Sequence, residues 1–131
     1  MNTKLMFLIW LLAGMTALAP CHAQNRIDKL VENFSTLGSA KFTSVVDRDP
    51  KTGQVQKVVK ELRLPGHQAG QFRNAFEEES RNGSTTRQQD DEALTMTITQ
   101  ETSKQLRIYM LRLTGRHAYT SAKVIIIVKM L

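Results

Sequence analysis

The chain has 131 residues, 41% of them hydrophobic, and 18 Lys and Arg against 12 Asp and Glu, a formal net charge of +6. That length supports one hydrophobic core and is short for two. A single cysteine excludes an internal disulfide framework and a thiolate metal cluster, so packing has to hold the fold.

Lys4 precedes an apolar run from Leu5 to Ala13, and smaller residues lead on to Cys21, His22 and Ala23. This layout predicts a secretory signal peptide over residues 1–23, cut after Ala23. From Leu5 to Ala19 the segment would be about 22 Å long as a helix at roughly 1.5 Å per residue, short of a hydrocarbon core of about 30 Å. No stable membrane span is expected. A lipoprotein signal at Cys21 competes, and Pro20 directly before that cysteine argues against it. The expected product is residues 24–131, a single α+β domain that is periplasmic or secreted. Without Lys4 it keeps 17 basic residues against 12 acidic. Such a surplus suits a mixed, solvated surface or, more sharply, anionic glycans or lipid head groups. Nucleic acid would be in another compartment.

Asn25 to Leu37 places Ile27, Leu30, Val31, Phe34 and Leu37 on one helical stripe, with Asn25 able to cap the start and Gly38 to stop it. Residues 40–47 and 54–64 read as two strands. Asp49, Pro50 and Gly53 between them are turn formers, which predicts an antiparallel hairpin. Asp47, Asp49 and Thr52 lack the spacing and closing glutamate of a calcium loop. After Pro65 and Gly66, residues 68–81 put Phe72, Ala75 and Phe76 on one side of a shorter helix, followed by Glu77, Glu78 and Glu79. Residues 81–92 contain no apolar side chain until Ala93, so they read as the longest mobile loop.

Residues 93–101 alternate strictly, with Leu94, Met96 and Ile98 against Thr95, Thr97 and Thr99. Residues 105–113 set Leu106, Ile108 and Met110 against Arg107, Tyr109 and Leu111. In the last strand Val124, Ile126 and Val128 point one way and Ile125 and Ile127 the other. A strand apolar on both sides belongs inside a sheet. The expected fold is α+β, two helices packed on a mainly antiparallel five-stranded sheet, in the order helix, two strands, helix, three strands. Two helices cover one face only. The second face then needs cover, from a curled sheet or from a homodimer contact through Ile125, Ile127, Tyr109 and Leu111.

Chemistry-bearing patterns are sparse. His67 and His117 have no third ligand at metal spacing, no glycine-flanked serine elbow is present, and no glycine loop could cradle a phosphate. Neither Asp91 with Glu92 nor Glu77 to Glu79 is placed in a cleft by the sequence. No catalytic, cofactor-binding or metal residue is expected, and no cofactor.

Four runs carry a resemblance: Gln24 to Asp28, Arg48 to Thr52, Arg107 to Leu111, and Ser121 to Val124 with the isoleucines that follow. Together the chain resembles the small exported bacterial proteins grouped as the domain-of-unknown-function family numbered 5024. The resemblance implies a single exported domain and supplies no active-site residues to carry over. The expected role is a non-catalytic binding or interaction module of the periplasm or envelope, its partner a protein or an envelope glycan. The alternative is a small hydrolase of envelope polymers, drawing on Arg107, Tyr109, His117 and the 81–92 loop.

Overall fold

The computed structural model describes residues 25–115 and 119–131. The expected signal peptide, Cys21 and His117 lie outside the described residues. In chain order the elements are α1 (Arg26–Phe34), β1 (Lys41–Arg48), β2 (Val55–Pro65), α2 (Gly70–Glu79), β3 (Ser84–Gln89), β4 (Ala93–Glu101), β5 (Gln105–Thr114) and β6 (Ser121–Met130). Single 3-10 turns at Gly66–Gln68 and Ser80–Asn82 flank α2.

α1 begins with a reciprocal cap. The Asn25 side chain accepts from the Asp28 N–H at 3.0 Å, and the Asp28 carboxylate accepts from the Asn25 N–H at 2.9 Å. Two of the helix's free N–H groups are thereby satisfied. The hairpin between β1 and β2 closes as its sequence predicts. Asp49 accepts from the Lys51 N–H through its side chain and from the Gly53 N–H through its carbonyl, both at 2.8 Å, while Gly53 takes a φ of 74°. Gly66 is needed for a different reason, since a Cβ there would stand 2.0 Å from the Tyr119 carbonyl oxygen.

All six strands form one antiparallel sheet in the order β1-β2-β6-β5-β4-β3. β6 sits inside it, hydrogen-bonded to β2 on one side and β5 on the other, as its doubly apolar sequence requires. Ile27 and Val31 of α1 and Phe72, Ala75 and Phe76 of α2 pack on one face, against Leu62, Met96, Ile98, Tyr109, Leu111, Val124 and Ile126. Phe34 and Phe72 join the two helices, their ring centroids 5.1 Å apart.

The sheet has six strands, not the expected five, and the order of elements gains a strand. The extra one, β3, lies within the 81–92 stretch read as a mobile loop. Every residue of β3 is exposed, so it needs no apolar side chain, and apolar periodicity is the signal by which strands are read. β3 is held instead by its ladder to β4, by Thr85 Oγ1 donating to the Ser80 carbonyl, and by the ion pair of Arg87 with Glu77. That pair, with Arg26 to Glu78, also explains why two of the three late glutamates of α2 are tolerated away from the favourable end of the helix dipole.

Candidate functional site

Residues directly opposite one another in adjacent antiparallel strands share a face, so the register maps both sides of the sheet. Tyr109 stands opposite Ile126, and Leu111 opposite Val124. Both therefore lie on the helix-covered side, and the expected grouping of Tyr109 and Leu111 with Ile125 and Ile127 is corrected. Alternation within a strand shows which residues travel together; it does not show which side of the next strand they join.

The second face carries no covering element among the described residues. Across its middle runs Val45, Val59, Ile127 and Ile108, then Thr99. The next row is Thr43, Glu61, Ile125 and Met110, then Thr97. The side chains shield one another, so Val59, Ile108, Met110, Ile125 and Ile127 are half-buried while Val45 is 60% exposed.

Beyond that apolar band lies a row of four cations on adjacent strands: Lys41 opposite Arg63, Arg63 opposite Lys123, Lys123 opposite Arg112. Like charges directly opposite destabilise a sheet. Glu61 relieves part of the repulsion, 3.3 Å from Arg63 and 3.6 Å from Lys123. Lys41 and Arg112 have no ion-pair partner among the described residues. A shallow cavity of about 290 Å³ opens over this row, lined by Arg63, Arg112, Lys123 and the hydroxyl-bearing Thr114 and Ser121, with no carboxylate in its lining. Asp90, in the turn before β4, is an acid that feels the charge of Arg112. Its carboxyl is held below its usual value mainly by the N–H groups of Glu92 and Ala93; desolvation opposes them, and Arg112 adds a lesser lowering.

On the covered side a buried polar cluster fastens α1 to β5. Asp28 Oδ2 accepts from Arg107 Nη1 at 3.0 Å and from the Tyr109 hydroxyl at 2.9 Å, and Arg107 Nη1 also donates to the Tyr109 oxygen at 2.8 Å. Burial, followed by the Asp28 carboxylate, raises the Tyr109 phenol far above its ordinary value, with Arg107 acting in the opposite direction. The sequence-based grouping of Arg107 with Tyr109 therefore meets in space, but its third member is Asp28. Arg107 Nη1 and the Tyr109 hydroxyl point at Asp28 and at each other, while Arg107 Nε donates to Gln105 Oε1 at 3.1 Å. Residues 84–89 form β3, and His117 lies outside the described residues. Asp28 is visible in the sequence as a helix-capping residue only, because its partners are about 80 positions away.

A second shallow cavity, of about 560 Å³, lies where β3 leaves α2 and is lined by Glu79, Asn82, Ser84, Thr99 and Glu101 among others. Among the described residues no group of three His, Cys, Asp or Glu could hold a metal ion, and no helix is long and apolar enough to cross a membrane.

Over residues 24–120 the chain matches the family described as Domain of unknown function (DUF5024). The chain belongs to the DUF5024 family. No curated protein and no solved structure matches this DUF5024 chain. The DUF5024 match spans α1 through β5, so it includes the buried Asp28 cluster and three of the four cations, with Lys123 beyond its end.

Proposed function

We propose that this DUF5024 protein is a non-catalytic binding module of the periplasm or cell envelope, exported through its N-terminal segment, that takes an anionic glycan on the uncovered face of its sheet. The observation that carries this reading is the in-register row Lys41, Arg63, Lys123 and Arg112, the last three of which line a cavity without a carboxylate. A sheet tolerates four aligned cations more readily when something negative sits on them. The apolar band beside the row offers Ile125 and Met110 to the carbon skeleton of a sugar ring, and the hydroxyls of Thr114 and Ser121 supply neutral hydrogen-bond partners. The arrangement is open and shallow, which suits a polymer passing over a surface better than a small substrate enclosed for reaction.

The test is equilibrium binding of the purified protein to a polyuronate and to an uncharged glycan of similar length, across a range of salt. Binding is expected for the polyuronate alone, weakening as salt screens the row. The double variant Arg112→Gln/Lys123→Gln is expected to lose about tenfold or more in affinity, the equivalent of roughly 1.4 kcal/mol. Salt-independent binding, or equal binding of the uncharged glycan, contradicts the reading.

A further inference from the structure

The two edges of the sheet are built differently. β3 is polar along its whole length, and its Arg87 is engaged by Glu77 of α2 and by the Met96 sulfur. β1 is exposed at every residue and carries Phe42, Val45 and Val46, half of the large apolar side chains left exposed among the described residues. One outer strand thus holds half of the large apolar exposure of the described residues. Among the described residues the outer backbone groups of β1 have no ladder partner, β2 being its one neighbour in the sheet. Devices that blunt such an edge stand only at its ends, Lys41 at one and the register shift between Asp47 and Arg48 at the other.

We infer that β1 pairs with β1 of a second copy of this chain, joining two sheets into one across a two-fold axis. Symmetry narrows the register sharply. Two copies of one edge strand become antiparallel neighbours under a two-fold axis along the sheet normal, and that operation keeps both helix-covered faces on the same side. Residues facing each other across the axis must then belong to the same face. Centring the pair on Ser44 sets Lys41 against Asp47 at both ends, Phe42 against Val46 within, and Thr43 against Val45. Centring on Thr43 sets Lys41 against Val45 and leaves Asp47 without a partner. Centring on Val45 sets Phe42 against Arg48 and Thr43 against Asp47.

Only the Ser44 register gives opposite charges and apolar pairs together, and both kinds of pair stabilise a ladder. Phe42 and Val46 cover one another on the helix side, where they are 38% and 46% exposed in the single chain. Lys41 belongs to both the cation row and the new ladder, whereas Arg63, Lys123 and Arg112 lie inward of it, so Arg112→Gln/Lys123→Gln tests what the row binds without touching the pairing.

Sedimentation equilibrium of the purified protein tests the inference, with thermal melting to confirm that each variant is folded. A dimer is expected. Lys41→Asp alone and Asp47→Lys alone each turn two attractive pairs per dimer into repulsive ones, and each is expected to weaken association roughly tenfold. Lys41→Asp combined with Asp47→Lys reverses both members of each pair and is expected to restore association to near the parent value. A protein that stays monomeric at every concentration overturns the inference. So does a dimer indifferent to the single reversals, a double variant that fails to recover, or a dimer lost only on Ile127→Lys, which would place the contact on the uncovered face.

Discussion

Ile126 and Ile127 are adjacent in the same central strand and differ in what covers them, so the same substitution at each separates the two faces of the sheet. Ile126 is 1% exposed beneath the helices, between Lys60 and Tyr109 on the neighbouring strands. Ile126→Asp forfeits roughly 1.5 to 3 kcal/mol of apolar burial. It also forces a carboxyl group either to stay charged in the interior or to protonate. A carboxyl pKa raised by about 3 units costs about 4 kcal/mol at neutral pH. The total, roughly 5 to 7 kcal/mol, meets the lower part of a domain's usual stability of about 5 to 15. Ile126→Asp is therefore expected to unfold the protein or leave it barely stable.

Ile127 lies on the uncovered face between Val59 and Ile108 and is only half-buried, so a carboxylate there keeps its water. Ile127→Asp is expected to cost about 1 to 2 kcal/mol, within the common range for single substitutions. Urea unfolding followed by far-ultraviolet circular dichroism reads both, with the midpoint reporting stability and the slope the surface exposed. Equal and severe losses at the two positions would refute the reasoning, because the second face would then have to be covered as thoroughly as the first.

The cluster that joins α1 to β5 makes two further predictions. Asp28→Asn removes the charge opposite Arg107, whose side chain is only 15% exposed, and is expected to cost about 3 to 5 kcal/mol, against about 1.5 to 3 for Tyr109→Phe. Urea titration showing Asp28→Asn to be the milder change would contradict that ordering. The alkaline limb of stability follows from the raised Tyr109 phenol. Above an unfolded value of 10.0 the unfolded chain gives up this proton while the folded chain keeps it, so unfolding releases a proton and stability falls as pH rises. Stability measured from about pH 9 to about pH 11 is expected to decline, and Tyr109→Phe to flatten the decline; an unchanged slope in that variant would count against the buried phenol.

The central strand, the Asp49 turn and both helices could be read directly from the chain, because each rests on local chemistry: β-branched residues in sequence, an Asx turn with glycine, stripes at helical spacing. What could not be read depends on register or on long-range hydrogen bonds. β3 has no apolar residue to betray it, and its existence follows from the free edge of β4. Alternation within β5 separates its two faces, yet only pairing with β6 shows that Tyr109 and Leu111 turn toward the helices. The cation row is of the same kind. Lys41, Arg63, Arg112 and Lys123 are unremarkable surface residues until four ladders bring them into line.

Backbone amide resonances of the purified protein, followed by nuclear magnetic resonance as a polyuronate is added, test the binding surface most directly. The account predicts progressive shifts at Arg63, Arg112, Lys123 and Ile125 that reverse on adding salt. Shifts confined to α1 and α2, or no shift at any polyuronate concentration, would contradict it.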